Sequence, residues 1–270
     1  MPSSVVRYEV DERRVATVTV DRPPVNALDR ETREHLLATF DLVQARSDVR
    51  AVVLTADGPV FCAGADIKEK QALNAGDAEA RRAERLTRET FFAVLDSAKP
   101  VVAAVGGAAL GAGFVLAACC DVIVAADDAF FGMPEIDVGQ GGGASFLRRI
   151  LPAPKVRRMV LTGERVPAAE LYRLGAVEEC VPRERLLPAA SALAAVMAAK
   201  SPAAVRAIRS SFGAVDALPL RDGFRLEQNY TAELSGTADA EEARRAFLEK
   251  RPAEFAGSEP LSGQPRGDRL

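Results

Sequence analysis

K-P-V-V-A-A-V-G-G-A-A-L-G-A-G-F-V-L-A-A-C-C-D, residues Lys99 to Asp121, is the stretch whose reading decides the fold. Val101 to Val105 is a short β-branched run bounded by Lys99-Pro100 and by glycine, the pattern of a buried strand. Gly106, Gly107, Gly111 and Gly113 then punctuate a turn, and Phe114 to Cys120 resumes as an apolar helix. A strand that passes through glycines into a helix start leaves backbone N–H groups unpaired beside residues with little or no side chain. Such a corner can hold a negative oxygen. Val101 to Cys120 is also an uncharged run of twenty residues, long enough to span a bilayer, and Gly107 to Gly111 spells G-x-x-x-G. Its Ala, Gly and Val content, its missing aromatic and basic belts and its clustered glycines favour a buried strand, turn and helix instead.

Outward from this stretch the chain alternates strand and helix signals. Val5 to Val20 reads as one or two strands with a turn near Asp11-Glu12, and Val49 to Thr55 as a fully buried strand. Arg22 to Asp29 connects to a helix in which Leu36, Leu37, Phe40 and Val43 form the apolar face, with Asp29 as N-cap. Ala56 to Asp66 is a turn-rich loop that feeds a long charged helix ending near Ser97. Beyond the central stretch, Asp121–Ala126, Ala129–Phe131 and Val177–Val181 read as strands, and Pro152–Thr162 and Pro167–Leu174 as helices. From about Arg183 the pattern is helical only: Leu186–Lys200, Pro202–Val215, Leu220–Leu234 and Asp239–Lys250. Ala256 to Leu270 is polar, rich in Gly and Pro, and predicts a frayed tail.

Composition excludes several function classes. The 270 residues are 48% hydrophobic, ample for a large α/β core, and the net charge is −3 with no basic block, against nucleic acid or an anionic membrane as partner. The N-terminus lacks an apolar signal region. Cys62, the adjacent Cys119-Cys120 pair and Cys180 form neither a disulfide framework nor a metal pattern, and read as small core residues of a cytoplasmic protein. The single histidine, His35, adjoins Glu34 on the polar flank of its helix and reads as solvated. A Ser-His-Asp hydrolase or a histidine metal site has no other histidine to use.

Chemistry is concentrated in two loops and one acid. Ala63-Gly64-Ala65-Asp66 and Leu110-Gly111-Ala112-Gly113 each place small residues just before a helix. Either alone allows tight packing; together, their N–H groups could pinch one carbonyl oxygen, where a positioned donor is worth roughly 3–4 kcal/mol to a developing oxyanion. Asp66 has the default role of an N-cap. Glu135 sits among apolar residues in F-F-G-M-P-E-I-D-V-G (Phe130 to Gly139), either on a loop surface or as a buried acid suited to moving protons near neutrality. Asp137, two residues on, faces the same way if the segment is extended.

F-C-A-G-A-D-I-K-E (Phe61 to Glu69), K-P-V-V-A-A-V-G-G-A-A-L-G-A-G (Lys99 to Gly113) and F-G-M-P-E (Phe131 to Glu135) together resemble the crotonase superfamily of enoyl-CoA hydratases and isomerases. Arg22-Pro-Pro-Val-Asn-Ala-Leu28 and Ala246-Phe-Leu-Glu-Lys-Arg-Pro252 resemble its flanking motifs. The resemblance implies an α/β fold, a crotonase-like spiral of ββα repeats with a C-terminal helical trimerisation region. The acyl-CoA-binding spiral core would take residues 1–200, the helical oligomerisation region 201–255 and a flexible tail 256–270. It also implies acyl-CoA substrates, no cofactor beyond the CoA of the thioester, and a homotrimer or a hexamer built as a dimer of trimers. By motif, Ala65 and Ala112 would supply the oxyanion N–H groups, and Ala63, Asp66, Ile67 and Lys68 would line the CoA site with Arg22 near its phosphates. Lys250 or Arg251 would reach the CoA of a neighbouring subunit. Glu135 matches a proton-handling glutamate.

The departures from the family pattern bear on the reaction. Hydratases of this kind usually carry a second glutamate two residues beyond the L-G-x-G corner, where this chain has Val115. Water activation and proton delivery to the α-carbon are commonly shared by two carboxylates. A double-bond shift needs one base that moves a proton between the α- and γ-carbons along one face. A Δ3–Δ2 enoyl-CoA isomerase with Glu135 as base is the leading reading. A hydratase or dehydratase in which Asp137 or a held water replaces the missing acid, and a non-catalytic CoA-binding or structural member, are the alternatives.

Overall fold

The structure, a computed structural model, describes residues 5–72, 77–216 and 218–255. The predicted tail 256–270 lies outside the described residues. β1 (Val6–Val10) and β2 (Val15–Val20) form an antiparallel hairpin that pairs Val6 with Val20. Helix α1 (Arg30–Ala45) follows, capped by Asp29, whose carboxylate accepts from the Thr32 N–H at 2.9 Å. Next come β3 (Ala51–Ala56), β4 (Val60–Cys62), α2 (Ile67–Ala72) and α3 (Ala78–Leu95). The single long helix predicted up to Ser97 is therefore two helices, with 73–76 outside the described residues.

The deciding stretch forms β5 (Val101–Val105), β6 (Ala108–Leu110) and α4 (Ala112–Ala118). The glycine-rich turn expected between strand and helix thus holds a short strand of its own, and the helix begins two residues before Phe114. β7 (Val122–Ala126) and β8 (Phe130–Gly132) precede a 3₁₀ turn, Pro134–Val138. The chain then runs through α5 (Ala144–Leu147), α6 (Ala153–Thr162), β9 (Arg165–Pro167), α7 (Ala168–Arg173) and β10 (Glu179–Val181). It ends in α8 (Leu186–Ala198), α9 (Pro202–Val215), α10 (Leu220–Ser235) and α11 (Ala238–Glu249). Among the described residues no single helix is long and apolar enough to cross a membrane.

The strands sort into a large sheet, β1-β2-β3-β5-β7-β10, and a small one, β4-β6-β8-β9. Three successive strand pairs each send their first member to the large sheet and their second to the small one. β3, β5 and β7 are parallel neighbours in the former, and β4, β6 and β8 are parallel neighbours in the latter. This is a spiral of ββα units. Central strands of a sheet covered on both faces read as unbroken apolar runs. Accordingly β5 is buried at every residue and β3 at all but its last. Helix α8 packs on β3 and β5 through a stripe of Leu186, Ala190, Ala194 and Ala198, whose small side chains let helix and sheet approach closely. Between the sheets, Phe114 of α4 meets Phe131 of β8 with ring centroids 4.9 Å apart.

The C-terminal helices are bolted to this core by one buried cation. The Arg209 side chain on α9 is only 9% exposed and its Nε donates to Asp121 Oδ2 at 2.8 Å. Its other nitrogens donate to the carbonyls of Val94 and Ser97 at the end of α3. The same Asp121 oxygen accepts the Val101 N–H at 2.7 Å, which fixes the start of β5. Hydrogen bonds to charged groups contribute about 1.5–3 kcal/mol each. Arg209→Met is therefore expected to lower the unfolding free energy by at least about 1.5 kcal/mol, measured by urea denaturation. An unchanged midpoint would show that α9 is held by apolar contacts alone.

Candidate active site

The three segments singled out in the sequence leave neighbouring strands of the small sheet. The 63–66 loop follows β4, the Gly111 corner follows β6, and Glu135 follows β8, and these strands are parallel neighbours. Their C-terminal ends therefore open at one edge, about 4.8 Å apart from strand to strand.

How tightly the two loops meet can be gauged from their glycines. A methyl group on Gly64 (φ +105°) would lie 3.0 Å from the Leu110 carbonyl oxygen and 3.6 Å from the Ala112 nitrogen. One on Gly113 would overlap Cys62, with Cβ 2.7 Å away. The loop after β4 is thus packed directly on the first turn of α4.

The bonding of the first loop leaves one amide over, since the Gly64 N–H goes to the Cys62 Sγ at 3.4 Å. The Ala63 N–H is spent on the Val25 carbonyl at 3.0 Å and the Asp66 N–H on the Leu28 carbonyl at 3.2 Å. Gly64 O accepts the Leu28 N–H at 2.8 Å, closing a parallel bridge between Leu28 and Ala65. Among the described residues the N–H groups of Ala65 and Ala112 donate to no backbone acceptor. For Ala112 the reason is general, since the first N–H groups of a helix have no partner within it.

This brace was not legible in the sequence, which treats Arg22 to Asp29 as a connector. Its anchor is Asn26, 3% exposed. The Asn26 amide donates to the carbonyls of Asp57 at 2.8 Å and Val60 at 2.7 Å, and its oxygen accepts the Arg22 N–H at 2.8 Å. The left-handed φ of Asn26 (+51°) is one that asparagine tolerates better than most residues. A residue that bonds across thirty positions leaves no periodic signal.

Glu135 stands over the second corner. Gly111 has φ +53°, and a methyl there would overlap Glu135 Oε1 with Cδ at 2.9 Å. The other carboxylate oxygen, Oε2, is buried. Asp137 does not join it. The segment is a 3₁₀ turn, with three residues per turn, so positions two apart point in different directions. Asp137 is exposed, and its carboxylate lies against Gly163 at the end of α6. Val115, where the family pattern leads one to expect a second acid, is 3% exposed and packs on Gly143 and near Met133, itself 2% exposed. Gly143 and Met133 thus contribute to an apolar wall without having been singled out in the sequence.

Three of the five residues expected to line a CoA site, Arg22, Asp66 and Lys68, gather in a neighbouring cleft. Arg22 and Lys68 share it with Arg30, but Asp29, Glu31, Glu34, Asp66 and Glu69 also line it. Arg22 is clasped between Asp29 at 2.9 Å and Asp66 at 3.0 Å rather than held open for phosphate. Asp66 caps the next helix by accepting the N–H groups of Lys68 and Glu69. Burial pushes the Asp66 carboxyl up, but these N–H groups and Arg22 outweigh it and hold it below the usual carboxylate range. Ile67 is exposed and Ala63 half-buried, and neither is among the residues that line this cleft.

Lys250 ends α11 in a left-handed conformation (φ +53°) and is exposed, whereas Arg251 is engaged by Glu242 at 2.6 Å and Glu249 at 2.6 Å. Cys62 borders the corner, but burial pushes its thiol up to about 12, so it supplies no thiolate. His35 is half-buried rather than solvated, and its Nδ1 has no hydrogen-bond partner among the described residues.

Three comparisons bear on this arrangement. The model of the family described as enoyl-CoA hydratase/isomerase matches residues 11–258. The (7aS)-7a-methyl-1,5-dioxo-2,3,5,6,7,7a-hexahydro-1H-indene-carboxyl-CoA hydrolase of Rhodococcus jostii is 40% identical over 87% of this chain and 91% of its own. Crystal structures of enoyl-CoA hydratases superpose closely. That from Bacillus anthracis has a TM-score of 0.89 at 29% identity, covering 94% of this chain and 100% of its own. That from Mycobacterium smegmatis has a TM-score of 0.88 at 31% identity, covering 93% and 98%.

Gly111→Ala tests the contact between corner and acid. Forcing an alanine into a left-handed conformation costs about 1–2 kcal/mol. Gly139 has φ +69° with nothing near its missing methyl, so Gly139→Ala carries the backbone strain alone. Urea denaturation is expected to show Gly111→Ala as the more destabilising of the two; equal losses would mean that Glu135 moves aside freely.

Proposed function

Because this chain belongs to the enoyl-CoA hydratase/isomerase family, we propose that it acts on an acyl-CoA through a thioester enolate, with Glu135 as its one proton carrier, and that its reaction is the Δ3–Δ2 double-bond shift. The observation that carries this reading is the pairing of one carboxylate on Gly111 with an apolar Val115 where a second acid would stand. The thioester oxygen would lie between the Ala65 and Ala112 N–H groups, which lower the cost of the charge that develops when a proton leaves C2. Glu135 would take that proton from a 3-enoyl-CoA and return it at C4 on the same face, giving the 2-enoyl-CoA with no net change of atoms. Such proton transfer by a positioned side chain contributes typically about 10²–10⁴-fold.

The remaining roles follow from the same reading. Ala63, Asp66, Ile67 and Lys68 would border the CoA, with Arg22 exchanging one of its carboxylates for a phosphate as the nucleotide end enters. Lys250, unlike the engaged Arg251, would be the residue that reaches a neighbouring subunit's CoA. A trimer, or a dimer of trimers, would cover Phe212, Leu220, Phe224 and Phe247, which are exposed on the C-terminal helices.

A second reading rests on the Rhodococcus jostii relative, whose name gives it hydrolysis of a bicyclic dione carried on CoA. There Glu135 would activate water, and the two N–H groups would take the charge arising at the carbonyl that is attacked. Hydration of a 2-enoyl-CoA would also fall to Glu135 alone, because Asp137 points away.

Product analysis in deuterated water separates these. With 3-enoyl-CoA, a 2-enoyl-CoA product is expected, labelled at C4 to the extent that the Glu135 carboxyl exchanges its proton with solvent before returning it, and Glu135→Gln should lower turnover at least about 10²-fold with acyl-CoA binding retained. A 3-hydroxyacyl-CoA would instead establish hydration, and water incorporation into a cyclic oxo-acyl-CoA hydrolysis. Full activity in Glu135→Gln would remove the acid from the mechanism. A melting point unmoved by saturating acyl-CoA would favour a structural role, since a ligand that binds only the folded state must raise stability.

A further inference from the structure

A second cavity, of about 440 Å³, opens at the far end of the large sheet from Glu135. Its walls include residues just before three parallel strands, Arg14 and Arg50 immediately before β2 and β3 and Lys99 two residues before β5, together with the end of α1 and the turn from α8 into α9. The corner that holds Ala112 lies beyond the opposite, C-terminal end of β5. The five residues of that strand put roughly 16 Å between the two ends.

The charge of this cavity is one-sided. Arg14, Arg46, Arg50, Lys99, Lys200 and Arg206 line it, and among the described residues Asp48 is the one carboxylate in its lining. Asp48 is already spent on Arg46 at 2.6 Å. Arg50 donates to the Phe255 carbonyl at 2.7 Å, and Lys99 to the carbonyls of Val43 and Arg46 at the end of α1, so both cations are held in place by neutral acceptors. Burial, with Arg206 and Arg46 adding to it against Asp48, brings the Lys99 ammonium down to about 8. Burial and the neighbouring Arg14 likewise lower Arg50, against the nearby Asp239 carboxylate. The net charge of the whole chain is −3, so this concentration is local. Ligand pockets commonly enclose about 300–1,000 Å³, and a concavity of this size suits a small molecule better than a nucleic-acid backbone.

We propose that this cavity binds a small molecule carrying two or more phosphate charges, at a site separate from the acyl-CoA site. The fixed cations would take the phosphates, while Met197 and Val205 offer an apolar floor to any organic portion.

The test is thermal unfolding of the full chain with inorganic pyrophosphate and with ADP, against sodium chloride of equal ionic strength. A saturable rise in melting temperature with pyrophosphate is expected. Arg14→Gly, which suits the left-handed φ of that residue (+65°), combined with Lys200→Gln should weaken pyrophosphate binding at least tenfold without shifting the unliganded midpoint. Lys68→Gln, in the other cleft, should leave it unchanged. Tighter binding of ADP than of pyrophosphate identifies a nucleotide as the ligand class, and equal or weaker binding an inorganic polyphosphate. The proposal is overturned by no saturable shift, by a shift that sodium chloride reproduces, by one that survives the double variant, or by one that Lys68→Gln removes. These outcomes stand apart from the acyl-CoA reading, because none of them depends on turnover.

Discussion

Three short strands of the small sheet, Val60–Cys62, Ala108–Leu110 and Phe130–Gly132, lie side by side and run the same way, and the candidate site depends on that pairing. Parallel neighbours end at the same edge, so whatever the chain does after each strand happens within a few ångströms of the others. The spiral topology enforces the arrangement by sending every second strand to this sheet. Two amide-bearing loops and one acid, separated by up to seventy positions in sequence, are thereby brought to a common edge by main-chain hydrogen bonding. Side chains do little of the positioning.

Their main contribution is to be small. Gly64 and Gly113 allow the loop after β4 to rest on the first turn of α4, and Gly111 allows Glu135 to approach the corner. Donors built from backbone cannot rotate away, and a preorganised donor needs no rearrangement as charge develops. The same economy leaves the side chains around the corner free to set the reaction. Val115, Met133 and Gly143 make an apolar wall, and Glu135 is the carboxylate that rests on Gly111.

Much of this was legible in the sequence because it is local. Val101–Val105 announces itself by β-branching, Asp29 by its place before an apolar-periodic helix, and the four C-terminal helices by periodicity. The small residues at both corners point to close approach by their size alone. What was not legible is pairing at a distance. Strand Ala108–Leu110 hides among glycines because its partners lie twenty or more residues away. The role of Asn26 likewise depends on the carbonyls of Asp57 and Val60. Asp137 was misjudged for a local reason: Met133-Pro134 can open a tight turn as readily as an extended segment, and the difference of one turn sends the carboxylate to the opposite side. The clasp of Asp29 and Asp66 on Arg22 is again a long-range contact, and it changes how a phosphate would have to enter.

The two clefts treat positive charge in opposite ways, and the contrast follows from the ends of the parallel strands they occupy. At the C-terminal ends, backbone amides are available as donors, and the nearby Arg22 is neutralised by Asp29 and Asp66. At the N-terminal ends the orphan groups are carbonyls, such as those of Val43 and Arg46 at the close of α1, and carbonyls attract cations. Lys99 answers that demand, and each cation drawn there raises the potential felt by the next. A surplus of positive charge therefore builds up at the end of the sheet whose own backbone calls for it, while the other end can hold a negative oxygen with no charged side chain at all. Both behaviours have one origin, the common direction in which the central strands run.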